Sequence, residues 1–149
     1  MELEVKKLKL STKGRYGIRA MLDIAIHGSE GHVTLKSIAQ RQNISESYLE
    51  QLMAALRKSG LVSSIRGAQG GYKLNMDLDK ITVGFILRTM EGSLAPVDCV
   101  IEDNPAECEN SDSCVTRLLW KKIRDSINNV IDNITLLDLV NQYKESDRT

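Results

Sequence analysis

Apolar residues recur at steps of three and four in several segments of this 149-residue chain, a spacing that places them on one face of an α-helix. The pattern covers four segments, approximately 12–27, 34–41, 45–60 and 114–134. Only one Phe and one Trp are present, so the interior must be built from Leu, Ile, Val and Met, which favours helices. We therefore predict a small, mainly α-helical protein with one main fold.

Short polar residues mark the ends of the first helices. Ser11 or Thr12 can cap the first helix and Ser45 the third, which ends at Gly60 after two basic residues that suit a helix C-terminus. The second and third helices are short and are joined by a tight turn. This arrangement predicts a helix-turn-helix, for which an ordinary helical hairpin is the alternative.

Two short strands are predicted next. LVSSIR has the composition of a strand, GAQGG that of a glycine-rich turn, and YKLN that of a returning strand. Arg66 lies at the base of this two-stranded wing, where it can enter a minor groove. The small β wing and the helices before it predict a winged helix-turn-helix DNA-binding domain over residues 9–76.

The charges of the two halves differ although the net charge is zero. Residues 1–75 carry 12 Lys and Arg against 6 Asp and Glu, whereas residues 76–149 carry 8 against 14, so about +6 faces about −6. A basic half is typical of nucleic-acid binding, and an acidic remainder limits nonspecific adhesion to DNA.

Three cysteines, Cys99, Cys108 and Cys114, lie in one polar stretch between two patterned segments. Three thiols cannot all pair within the chain, and gaps of eight and five residues are too wide for a zinc ribbon. Soft sulfur ligands on a flexible loop suit an iron-sulfur cluster, whereas structural or redox-active free thiols are the alternative. We assign residues 77–114 to a linking helix and this cluster loop.

The last patterned segment begins near Cys114 and continues for about 20 residues, which is ~30 Å of helix. Such length favours pairing with the same helix of a second subunit, and a helix folded back on its own domain is the alternative. After it we expect a short capped turn, TLLDLV, and a frayed end. Residues 115–149 are therefore predicted to form a dimerisation helix and a C-terminal tail.

Several classes of protein are not expected. No segment approaches the ~18 uncharged apolar residues of a membrane span, and the N-terminus lacks the apolar run of a signal peptide, so we expect a cytoplasmic protein without a membrane partner. No Ser-His-Asp set, phosphate loop or paired-carboxylate pocket can be placed, so we expect neither an enzyme nor a small-molecule substrate. We expect His27 and His32 to be surface residues rather than ligands.

Three stretches, LSTKGRYGIRAMLDIA, ISESYLEQLMAALRKSGLVSSIRGAQGGYKL and CVTRLLW, resemble the IscR family of bacterial winged-helix regulators, which sense iron-sulfur status or nitric oxide. The resemblance covers residues 9–140. It implies a homodimer whose cluster loop lies beside the dimerisation helix and whose winged helices contact DNA. By position it assigns the cluster to Cys99, Cys108 and Cys114, the recognition helix to Ser47, Tyr48, Glu50 and Gln51, and the wing arginine to Arg66.

The fourth cluster ligand stays unassigned. Family members with a histidine ligand carry it three residues after the last cysteine, where this chain has Arg117. Members that use an aspartate at the start of helix 1 of the other subunit would need it near Arg15, and none is there. We expect a 2Fe-2S cluster ahead of a 4Fe-4S cluster. The acidic candidates in the loop are Glu102, Asp103, Glu107, Glu109 and Asp112.

These observations predict a transcriptional regulator that binds a palindromic double-stranded DNA site under control of the cluster, and they leave activation or repression open. Base reading is expected from Ser47, Glu50 and Gln51. Two alternatives remain: a cluster-free regulator controlled by thiol oxidation or by a partner, and a small iron-sulfur carrier or assembly accessory protein. Phosphate contacts are expected from Lys13, Arg15, Lys36 and Arg57.

Overall fold

The computed structural model describes residues 9–29, 31–103, 105–107 and 113–147, which form six α-helices and one two-stranded antiparallel sheet. The predicted fold class, mainly α with a small β wing, is confirmed. In chain order the elements are α1 (Thr12–His27), α2 (Leu35–Gln42), α3 (Glu46–Lys58), β1 (Val62–Ile65), β2 (Gly71–Leu74), α4 (Val83–Glu91), α5 (Val115–Asp132) and α6 (Leu136–Ser146).

Side-chain caps begin most of these helices. The hydroxyl of Ser11 accepts the N–H of Lys13 at the start of α1, and that of Ser45 accepts the N–H of Tyr48 at the start of α3. The predicted caps at Ser11 and Ser45 are therefore confirmed. Thr34, Thr82 and Thr135 cap α2, α4 and α6 in the same way.

The core lies between α1, α2, α3 and α4. Asn43 takes the left-handed conformation in the turn from α2 to α3, with φ of 54°, which suits an asparagine and permits the tight connection. The antiparallel sheet pairs Val62 with Leu74, and an isolated bridge from Val33 to Tyr72 ties it to the segment before α2. The largest fully buried side chains include Met21, Ile38, Leu49, Met53, Leu56, Leu61, Ile81, Ile86 and Leu136.

α5 is amphipathic but hardly buried in this single chain. Of its 18 residues, all described, only Ile131 is buried. Val115 is 78% exposed, Leu118 60% and Val130 56%, which leaves an apolar stripe without cover from the same chain. We call this set, together with Leu119, the α5 stripe.

The C-terminal segment extends further than the predicted short capped turn. The expected cap at Thr135 is present, but Glu145 and Ser146, which were expected to fray, belong to the helix, and residues 148–149 lie outside the described residues. α6 has 11 residues and begins with a capping box formed by Thr135 and Asp138. Leu136 and Val140 are buried against α1, because their spacing of four aligns them on one helix face. Two backbone hydrogen bonds of 2.8 Å, Val83 N–H to Ile134 O and Leu136 N–H to Ile81 O, join this segment to the start of α4.

We call α1 to α4, the wing and α6 the winged-helix unit. No helix among the described residues is both long enough and apolar enough to cross a membrane.

Candidate nucleic-acid interface and cysteine loop

The exposed face of α3 carries three of the predicted base-reading residues. Ser47, Glu50 and Gln51 are exposed, at the steps of three and four that place them on one side of the helix. The opposite side, with Leu49 and Met53, is fully buried in the core. The second helix of the helix-turn-helix therefore presents a polar face that is free to contact a groove.

Tyr48 is placed differently from its neighbours. It is half-buried, its hydroxyl lies 3.0 Å from the Thr12 hydroxyl, and its ring meets that of Tyr16 edge-on at 6.1 Å between centroids. The guanidinium of Arg19 stacks 5.1 Å from the Tyr16 centroid on α1. Tyr48 thus fixes α3 against α1. Tyr48 was predicted to belong to the DNA-contacting face, but its side chain is already engaged within the chain.

A buried carboxylate sets the orientation of α2. Asp23 on α1 is 3% exposed and accepts two hydrogen bonds from the Arg41 guanidinium, at 2.7 and 2.9 Å. The Gln42 amide donates a third at 2.8 Å. The hydrogen bond with Asp23 raises the pKa of Arg41 above its usual value. Sequence patterns did not single out this set, although an Asp among apolar helix positions is a usable signal.

The wing places Arg66 on its exposed surface, directly after β1. Arg57 at the end of α3 extends to the wing, where its Nη1 lies 3.5 Å from the Ser64 hydroxyl. His32 is exposed as predicted, but its Nε2 also contacts the carbonyl oxygen of Gln69 in the wing turn. This contact joins residues far apart in sequence, so no local pattern indicates it.

Exposed basic side chains lie on the same helices and on the wing. The predicted phosphate contacts Lys13, Arg15, Lys36 and Arg57 are all exposed, on the first turn of α1, on α2 and on α3. Lys58 on α3 and Lys73 on β2 are also exposed. They count toward the positive charge of the N-terminal half but were not among the predicted phosphate contacts. The proposed contacts to DNA of all these residues stay predictions.

The two described cysteines, Cys99 and Cys114, lie on different elements. Cys99 is half-buried in a short 3₁₀ turn, Asp98–Val100, and Cys114 is the N-cap residue of α5. The Val100 carbonyl accepts a hydrogen bond of 3.1 Å from Arg124, ten residues along α5 from Cys114 (124 − 114), or about 15 Å. Cys108 lies outside the described residues, within which no three His, Cys, Asp or Glu side chains gather as a metal site.

The Cys114 thiol has a lowered pKa. The Thr116 hydroxyl lies 3.1 Å from Cys114 Sγ, and this hydrogen bond is the largest cause, followed by the backbone N–H of Arg117. The charge of the Arg117 guanidinium acts in the same direction. Cys114 is therefore disposed to become a thiolate, the form that binds iron and reacts with oxidants.

Glu102, one of the candidate fourth ligands, is already bonded within the chain. Its two carboxylate oxygens accept hydrogen bonds from Asn128 on α5 (2.9 Å) and from the Ser93 hydroxyl (2.7 Å). Burial raises the pKa of Glu102, but these bonds and the charge of Arg124 outweigh it and lower the pKa below its usual value. Asp103 and Glu107 are exposed, whereas Glu109 and Asp112 lie outside the described residues.

A family model described as Rrf2, iron-dependent transcriptional regulator, matches residues 10–142. The chain is 48% identical to the HTH-type transcriptional regulator CymR of Bacillus subtilis (strain 168) over 132 residues, which is 89% of each chain. It is 44% identical to the HTH-type transcriptional regulator IscR of Serratia proteamaculans (strain 568) over 134 residues, covering 90% of this chain and 80% of that protein.

The chain is also similar to solved structures of such regulators. The structure of CymR (YrzC), described as the global cysteine regulator of B. subtilis, matches with a TM-score of 0.74 at 49% identity and covers 91% of this chain and 98% of that chain. T. potens IscR matches with a TM-score of 0.75 at 48% identity, over 93% and 90% of the two chains. These relatives are named as regulators and not as enzymes, and the predicted resemblance to IscR is confirmed. The chain therefore belongs to the Rrf2 family of transcriptional regulators.

Proposed function

We propose that this regulator binds a palindromic double-stranded DNA site as a homodimer and responds to an iron-sulfur cluster held by Cys99, Cys108 and Cys114. The observation that supports DNA reading best is the exposed polar face of α3 beside the exposed Arg66 of the wing. Both lie on one buried core, so they can contact adjacent grooves together. A cytoplasmic location accords with this function.

The α5 stripe supports the homodimer. Val115, Leu118 and Val130 leave apolar surface exposed along a helix that could pack against its counterpart. A twofold dimer would present two α3 helices to half-sites about 34 Å apart, one turn of the duplex. The palindromic operator follows from that symmetry.

The donor chemistry of the cysteine loop fits a cluster. Cys114 has a lowered pKa, and the Nε of Arg117 next to it is buried without a hydrogen-bond partner among the described residues. A guanidinium donor of this kind suits an anionic thiolate-ligated group. A cluster would supply the redox- and iron-dependent signal. The chain would contribute thiolates from Cys99, Cys108 and Cys114, and a 2Fe-2S form stays our expectation.

A second function is favoured by the same thiol. Cys114 with its lowered pKa could act as an oxidant-sensitive residue in a regulator without a cluster. The relatives include both IscR and CymR, the latter described as a cysteine regulator. The cluster and thiol mechanisms share the same DNA-binding surface and differ only in what the loop binds.

Anaerobic purification separates these two functions. Stoichiometric iron and acid-labile sulfide in the wild type, lost when all three cysteines become alanine, would support the cluster. Metal-free protein whose DNA affinity falls on oxidation, and not in Cys114→Ala, would support the thiol switch. DNA selected from a random pool provides the ligand for both arms, and failure to enrich any sequence would contradict the regulator function itself.

A further inference from the structure

Glu91, the last residue of α4, holds the first turn of α1. Its Oε1 accepts the backbone N–H groups of Ser11 at 3.0 Å and of Gly14 at 2.9 Å, and the Ser11 hydroxyl donates to the same oxygen. A carboxylate at a helix N-terminus is stabilised by the free N–H groups and by the helix dipole. The start of α1 is thus positioned by a side chain that follows it by 80 residues.

The same turn of α1 holds the recognition helix. Thr12, next to Ser11, is hydrogen-bonded to the Tyr48 hydroxyl at 3.0 Å, and the Tyr16 ring packs on the Tyr48 ring. Because Tyr48 is on the first turns of α3, a shift at the start of α1 would move the exposed face of α3 as well.

On its other side, Glu91 leads into the cysteine loop. Gly92 is the C-cap residue that follows Glu91, and its φ of +77° favours glycine. Ser93 comes next in the chain. The Ser93 hydroxyl donates to Glu102, which Asn128 also ties to α5. Cys99 lies three residues before Glu102. The loop that carries the cysteines is therefore anchored two residues from the carboxylate that positions α1.

We infer that Glu91 is a positioning residue for DNA binding, which transmits the state of the cysteine loop to α3 through the start of α1. The inference rests on the proposed function for the role of α3 at DNA. Couplings of this kind change affinity by about 5- to 150-fold.

Two variants remove the contact by independent means. Glu91→Ala removes the carboxylate, and with it the acceptor of the Ser11 and Gly14 N–H groups. Gly14→Ala places a Cβ 2.6 Å from Glu91 Oε1, so the carboxylate must move, while alanine favours the helix more than glycine. A defect shared by both variants would therefore not reflect a weaker helix.

Each variant has a matched control. Gly17→Ala makes the same substitution on α1, but its Cβ meets the Met90 side chain at 2.6 Å instead of a carboxylate. Glu145→Ala removes a carboxylate from the exposed surface of α6. Both controls should respond to changes in the loop as the wild type does.

The loop is perturbed by Ser93→Ala, which removes the hydrogen bond from Ser93 to Glu102. The first readout is the proton NMR shifts of the Tyr48 ring. The second is affinity for a DNA duplex selected from a random pool by the wild type. In the wild type, Ser93→Ala should shift the Tyr48 ring signals and change affinity by about fivefold or more. In Glu91→Ala and Gly14→Ala backgrounds it should change neither.

The inference is overturned if Ser93→Ala acts equally in all backgrounds, or if it leaves the Tyr48 signals of the wild type unchanged. The ring shifts need neither DNA nor a cluster, so they decide the coupling even if the pool yields no bound sequence. That last result would count against the proposed function alone.

Discussion

The winged-helix unit and the cysteine loop with α5 are built in opposite ways. In the unit, capped helices surround fully buried side chains such as Met21, Leu49 and Leu136. In α5 a single residue is buried, and the loop before it is tied down by polar contacts such as that of Glu102 with Asn128. The winged-helix unit thus has its core within one chain, whereas the cysteine loop and α5 leave surface that further contacts can cover.

The largest effect should come from the apolar surface of α5. Leu118→Asp places a charge in the α5 stripe and should weaken self-association by at least about 100-fold, because a desolvated charge costs several kcal/mol. Sedimentation velocity across a concentration series measures this. Ser126→Asp, also exposed on α5, is the control. Equal behaviour of the two variants would show that the stripe does not form the dimer.

In the winged-helix unit, the next largest effect should be on the free energy of unfolding. Asp23→Ala leaves Arg41 and Gln42 without their shared acceptor and should lower the free energy of unfolding by about 2–3 kcal/mol. Urea denaturation followed by circular dichroism gives the value. The exposed Asp79 provides the comparison, since Asp79→Ala should change stability by less than about 0.5 kcal/mol. Similar losses of unfolding free energy in both variants would show that Asp23 does not orient α2.

The recognition of DNA bases by α3 should be separable from the stability of the fold. Glu50→Ala removes an exposed acceptor from α3 and should relax base preference by about 1–2 kcal/mol at one position, with little change in unfolding. Selection from a randomised DNA pool tests this, with Glu145→Ala as the matched variant. If the selected sequences are the same as for the wild type, Glu50 does not read a base.

The smallest effect concerns the anchoring of the loop. Because the pKa of Glu102 is lowered in the folded chain, its carboxylate stabilises the folded state above its ordinary pKa of about 4.5. That contribution, below about 1 kcal/mol for an exposed group, is lost as pH falls from about 4.5 through the lowered pKa. Glu102→Gln should flatten the pH dependence of hydrogen exchange in residues 98–103 over this range. An unchanged profile would mean that Glu102 does not anchor the loop.

Local signals explain what the sequence predicted. Caps at Ser11 and Ser45 and apolar steps of three and four are properties of neighbouring residues, so the helices and the wing could be located in advance. The extent of α6 was missed because its stability comes from burying Leu136 and Val140 against α1, far away in sequence. The Glu91 and His32 contacts were unpredictable for the same reason.

In the candidate site, too, features set by neighbouring residues could be predicted and features set by contacts between distant residues could not. The exposed positions of Ser47, Glu50 and Gln51 follow from helix periodicity, and the structure places them together. The engagement of Glu102 by α5 depends on how a polar loop docks, for which no periodic pattern exists. The cysteines could be identified by residue type alone, but their spacing does not predict that Cys99 lies in a 3₁₀ turn and Cys114 at the N-cap of α5.

The backbone hydrogen bonds between Ile81–Val83 and Ile134–Leu136 limit how this protein can be recombined with others. A segment cut after β2 would leave behind Ile81, Ile86 and Leu136, all of them fully buried, so the helix-turn-helix and wing cannot be transplanted as a contiguous N-terminal block. A chimaera that exchanges the cysteine loop and α5 has to insert the new segment between α4 and α6 and keep both flanks.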